Sequence, residues 1–107
     1  GRAGDHTGFS LYVPEHQYNN ATSSLTIASF IENKLKISFN PSTLPLEKDT
    51  IIESQGLIAI GANNSRNKAS ILIEYGYIYE PDISKDETLQ KMAEVTYNGI
   101  KDYFAGQ

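Results

Sequence analysis

The stretch Ile71–Pro81, ILIEYGYIYEP, decides how the rest of the chain is read. It is apolar and aromatic almost throughout, as strands covered on both faces tend to be. Glu74 interrupts it. In an extended chain alternate residues share a face, so Ser70, Leu72 and Glu74 point one way and Ile71, Ile73 and Tyr75 the other. Gly76 follows, at a point where the backbone needs close approach or an unusual dihedral. In open α/β sheets ligands gather beyond the carboxyl ends of strands. A carboxylate there, aimed into a cleft and partly dry, has a raised pKa suited to general acid or base work near neutral pH. The commoner reading of one acid after an apolar run is an ion pair with Lys or Arg, or projection into water. The pattern leaves both open.

Working outward, FSLYV (9–13) alternates, with Phe9, Leu11 and Val13 on one face and Ser10 and Tyr12 on the other. It reads as a half-buried strand at a sheet edge or facing an opening, stopped by Pro14. SSLTIASFIENKLK (23–36) places Leu25, Ala28, Ile31 and Leu35 at helical spacing, widened by Ile27 and Phe30. Thr22 or Ser23 can cap that helix, and Lys34 and Lys36 suit its last turn. Residues 39–49 hold Pro41 and Pro45 and read as a surface excursion. A short IIE piece (51–53) precedes Leu57–Ile60, an apolar run between glycines that predicts a buried strand, and the polar loop 61–68. A capping box of Ser84 and Glu87 opens a last helix, lined by Leu89, Met92, Ala93, Tyr97, Ile100 and Phe104 and stopped near Gly106. Strands interleaved with helices imply an α/β class, a layered sheet covered by helices.

Composition narrows the function. The 107 residues fit one domain, and a 39% hydrophobic content supports a small core. Net charge is −4 with Lys and Arg scattered, which excludes a basic footprint for nucleic acid. The predicted helices carry both signs of charge, and no run approaches spanning length, so membrane insertion is not expected. With no cysteine there is no disulfide, thiolate zinc site or cysteine nucleophile. The chain opens GRAGDHTG without Met, as an excised or processed piece does. The seven tyrosines can line a sugar or peptide groove, or pack at the core edge.

With these elements in place, ILIEYGYI resembles a segment near the C-terminus of zinc-dependent N-acetylmuramoyl-L-alanine amidases, the enzymes of bacterial cell-wall turnover. Their order is an apolar strand, Glu, a variable residue, a small residue, an aromatic and an apolar residue. Glu74, Tyr75, Gly76, Tyr77 and Ile78 follow it. TGFSLYV is similar to the family's Gly-aromatic strand, SSLTIASFIENKLK to the next helix, and GLIAIGANN to the strand before the catalytic one. The last helix resembles the family's closing helix, with Gly99, Ile100, Tyr103 and Phe104 in its ending. The resemblance runs from Thr7 to Phe104.

It implies a peptidoglycan hydrolase, outside the cytoplasm, cutting the amide between N-acetylmuramic acid and L-alanine, an autolysin-like activity in murein turnover. Zinc held by two histidines and a glutamate would activate water in the parent enzyme. Glu74 matches the catalytic carboxylate. The family's zinc ligands precede the region matched here, so the chain corresponds to the C-terminal part of the catalytic domain. His6 lacks the apolar strand and Asn of the family's last zinc histidine, and His16 falls in a polar loop. No zinc site is therefore expected within these residues. The expected partners are peptidoglycan and either the rest of the domain or a second copy, since an unfinished sheet exposes an edge. A non-catalytic cell-wall or protein-binding module of the same fold is the alternative.

Overall fold

The computed structural model describes residues 6–54, 67–77 and 80–107. The expected strand Leu57–Ile60, most of the loop 61–68, and Ile78 and Tyr79 lie outside them. The elements are β1 (Ser10–Val13), α1 (Ala21–Ser38), a 3-10 turn (Pro45–Glu47), β2 (Ile51–Glu53), β3 (Leu72–Glu74) and α2 (Asp86–Ala105). The sheet order is β2-β1-β3, with β2 parallel and β3 antiparallel to β1. The α/β class stands.

Strand β1 is central rather than at an edge, and its alternation sets the architecture. Phe9, Leu11 and Val13 are buried among Ala28, Ile31 and Leu35 of α1 and Val95 of α2. Ile51, Ile71, Ile73 and Tyr75 pack at the margin of this cluster. Joining the parallel strands β1 and β2 requires a crossover, and α1 supplies it.

Helix α1 presents a different stripe from the one its large residues suggest. Ala21, Ser24, Ala28, Ile31 and Leu35 are buried, while Leu25 and Phe30 are exposed. Ser24 earns its place through polar contact: its hydroxyl accepts the Ser70 N–H at 2.8 Å. The Ser23 hydroxyl donates to the carbonyl of Lys68. Ser23, one of the two residues read as caps, thus joins Ser24 in tethering the approach to β3, and the N-cap position, Asn20, makes no side-chain cap bond.

Helix α2 meets expectation in part, with Met92 buried and Ile100 packed against the core. Met92, Val95 and Gly99 are buried, and Leu89, Tyr97 and Phe104 are exposed. The helices cross closely at Gly99, where a Cβ would lie 2.7 Å from the Ile31 Cα. A backbone atom cannot swing away as a side chain can, so glycine sets this crossing. The Ser84–Glu87 capping box does not form; Lys85 occupies the N-cap without a side-chain bond. Lys34 of α1 pairs with Asp102 of α2 at 3.1 Å. Among the described residues no helix is long and apolar enough to cross a membrane.

The segment read as a surface excursion does more than connect. Pro41 bridges to Phe9 in parallel fashion, and Ile51 pairs with Leu11. Between these two points the chain leaves the ladder, forms the 3-10 turn and returns. Thr50 makes the return with φ 68°, unusual for a β-branched residue. This detour carries Glu47 into the interior, where it is only 2% exposed.

Candidate functional site

Neither α1 nor α2 contributes the partners of Tyr12, on the even-numbered face of β1. Its hydrogen-bond partner comes from the 42–47 detour, and Tyr77, after β3, joins through the same acid. The Tyr12 hydroxyl donates to Glu47 Oε2. The Ser42 hydroxyl donates to Glu47 Oε1 at 2.6 Å, and the Tyr77 hydroxyl donates to the same oxygen at 3.0 Å. Ser42 is itself fixed, because its Oγ accepts the Leu44 N–H at 3.1 Å. Ser10 is buried on this face too, and its Oγ makes no hydrogen bond of ordinary geometry.

Glu74 joins the cluster through register. It stands opposite Ser10 in the antiparallel β1–β3 pair, with Leu72 opposite Tyr12. Directly opposed residues project to the same side of a sheet, so Glu74 shares a face with Ser10 and Tyr12. Because β3 runs antiparallel, its carboxyl end lies beside the start of β1. The rule for carboxyl ends of parallel strands, used to anticipate a site here, does not apply to it. Leu72–Glu74 is also half-buried to exposed rather than covered on both sides.

The two carboxyl groups differ electrostatically. Burial pushes Glu47 up, but hydrogen bonds from Ser42, Tyr12 and Tyr77 outweigh it and hold the group below the ordinary carboxylate value. Glu74 is raised by loss of water around its carboxyl, although the residue as a whole is exposed. The charge of Glu47 and a hydrogen bond with it push Glu74 up further. The two shifts run in opposite directions, so Glu74 is the weaker acid of the pair. Burial, then the hydrogen bond and charge of Glu47, raise the phenol of Tyr12.

Glu80, the second acid of the opening stretch, clamps the neighbouring backbone. Its Oε1 accepts the Gly8 N–H at 3.1 Å and its Oε2 accepts the Tyr77 N–H. A side chain at Gly76 would collide with that carboxylate, so Gly76 serves close approach and not an unusual dihedral. A cleft of about 380 Å³ borders this turn, lined by Thr7, Gly8, Asn40, Tyr75 and Glu80 among others. Neither Glu47 nor Glu74 lines it. The carboxylate pair is the candidate for chemistry, because two acids there share a sheet face with hydroxyl groups that converge on one of them.

The tyrosines divide between roles. Tyr12 and Tyr77 serve Glu47, and the Tyr75 hydroxyl meets Thr96 Oγ1 of α2 at 2.8 Å. The His6 ring lies near the Tyr77 ring, with centroids 6.4 Å apart. His16 sits elsewhere, its side chain 91% exposed and 3.9 Å from Glu53. Among the described residues no three His, Cys, Asp or Glu side chains converge as metal ligands would. A protein zinc site needs at least three. The described residues therefore do not by themselves fit the zinc that the resemblance implies.

Sequence reading missed Glu47, Ser42 and Glu80. Glu47 stands in PSTLPLEKD, whose prolines mark a loop, and nothing local signals its burial. Its partners Tyr12 and Tyr77 are 35 and 30 residues away.

No protein-family model matches the chain, and no curated protein matches its sequence. Among solved structures, the chain is similar to the N-acetylmuramyl-L-alanine amidase Ami1 from Mycobacterium smegmatis, with a TM-score of 0.81 and 20% identity. The match covers 100% of this chain and 51% of that one, so the chain spans about half the length of its structural neighbour. At this identity the likeness shows the fold: a small α/β arrangement matching part of an amidase structure.

Proposed function

We propose that this chain is the C-terminal part of a peptidoglycan amidase domain acting outside the cytoplasm, and that Glu74 is its catalytic carboxylate. The substrate would be the amide joining N-acetylmuramic acid to L-alanine. The observation that carries the reading is the carboxyl pair on one sheet face, with Glu74 opposite Ser10 and Glu47 held by the hydroxyl groups of Tyr12, Ser42 and Tyr77. The fold likeness to an amidase supports it.

Amide hydrolysis requires a proton to leave the attacking water and another to reach the departing amine. One carboxyl group can perform both transfers in turn if its pKa lies close to the working pH. Loss of water and the charge of Glu47 move Glu74 in that direction. Its place at the exposed end of β3 leaves it open to a large polymeric substrate. Zinc is the metal implied by the resemblance, but the described residues lack a three-ligand set and no step is assigned to it.

The test is hydrolysis of purified muropeptides, with zinc supplied, by the protein carrying this chain and by its Glu74→Gln variant. Loss of a general acid–base group lowers turnover by about 10²–10⁴-fold. Unchanged release of stem peptide by the variant would remove Glu74 from the mechanism. A non-catalytic binding module of the same fold is the second reading. It predicts retention on cell-wall sacculi without release of peptide.

A further inference from the structure

We infer that Glu47 is a positioning residue for Glu74: its charged carboxylate, fixed by three hydroxyl groups, makes Glu74 the member of the pair that holds the proton. The catalytic part of this inference rests on the proposed role of Glu74.

The argument begins with what surrounds the pair. Glu47 is almost wholly buried, yet three hydroxyl groups from three separate segments donate to it. Tyr12 comes from β1, Ser42 from the detour before β2, and Tyr77 from the residues after β3. An ionised carboxylate offers about four acceptor positions, so three donors satisfy most of them without a cation. Among the described residues no Lys or Arg forms a salt bridge with Glu47 or Glu74. The titratable neighbours are Tyr12 on β1 and Tyr77 after β3, with His6 beside the Tyr77 ring and Glu80 bound to the Tyr77 N–H.

Two neighbouring acids without a cation cannot both ionise cheaply, and the less stabilised one keeps its proton. Here the hydroxyl groups stabilise one anion only. Among the described residues no comparable set of donors surrounds Glu74, which stands opposite Ser10 on the same face of the strand pair. The detour that buries Glu47 thus decides which acid is the proton carrier. Glu47 acts through Glu74 and needs no contact with substrate.

The test is a pH titration of side-chain carboxyl ¹³C signals in the 107-residue chain labelled at glutamate, with Glu74 assigned by its loss in Glu74→Gln. In Glu47→Gln the Glu74 midpoint should fall towards that of an exposed glutamate. In Ser42→Ala, which removes one donor and keeps the carboxylate, it should fall by less. Glu47→Asp should restore part of the wild-type midpoint. In the protein carrying this chain, Glu47→Gln should shift the acid limb of the kcat profile to lower pH, a change that simple loss of stability does not produce. A Glu74 midpoint unmoved in both Glu47→Gln and Ser42→Ala overturns the inference. Full hydrolysis by Glu74→Gln instead overturns the functional reading, whatever the titrations show.

Discussion

Alternate residues of β1 live in opposite environments. Phe9, Leu11 and Val13 pack in an apolar cluster with side chains from both helices, and their positions follow from volume and exclusion of water. On the other face, the Tyr12 hydroxyl meets a buried acid held by hydroxyl groups from distant segments. One face is non-directional and tolerant of chemistry but not of size. The other depends on where each proton sits. A central strand only four residues long separates the two kinds of order.

The largest expected effect attacks the apolar face. Leu11 is fully buried, and Leu11→Ala should cost about 3 kcal/mol, read as a lower urea midpoint with an unchanged slope. A loss near 1 kcal/mol would mean that the helices collapse onto the cavity. Next comes overpacking at the helix crossing. Gly99→Val drives a side chain into the Ile31 backbone and should cost about 2 kcal/mol, with α2 lost from native-state hydrogen-exchange protection first.

The polar face responds to pH. Glu47 is lowered in the folded state, so its contribution is present above the ordinary carboxylate range and fades as pH falls through its folded value. Glu47→Gln should therefore cost about 1–2 kcal/mol near neutrality, and the gap to wild type should close on acidification. Glu74 has the opposite sign. Its raised value favours the folded state at low pH, and that advantage disappears as pH rises through the folded value. Glu74→Gln should be at least as stable as wild type at neutral pH. Parallel stability–pH curves for the two variants would erase the distinction between the acids. The smallest effect belongs to the surface: Lys34→Ala breaks a partly exposed pair with Asp102 and should cost less than about 0.5 kcal/mol at ordinary salt.

The sequence exposed one side of this comparison better than the other. The alternation Phe9, Leu11, Val13 specifies a core face because period and apolarity suffice. Ala28, Ile31 and Leu35 follow for the same reason on α1. On α2, counting large apolar residues selected Leu89, Tyr97 and Phe104, which are exposed, over Val95 and Gly99, which are buried. Contact there is governed by close backbone approach, for which a small residue is the requirement, and hydrophobicity scales do not register it. Glu74 was legible as an ionisable group inside an apolar run. Its partner Glu47 was not, because its burial depends on Tyr12 and Tyr77 arriving from opposite ends of the chain. The antiparallel direction of β3 was equally hidden, since alternation in a strand has no sense of direction.

The raised phenol of Tyr12 gives the molecule an optical handle on its own interior. The chain has seven tyrosines and no tryptophan, so its near-ultraviolet absorbance is dominated by phenols. Alkaline titration followed at the phenolate band should show a late step from Tyr12, above the ordinary phenol range. Loss of that late step would register disruption of the cluster without label, substrate or metal.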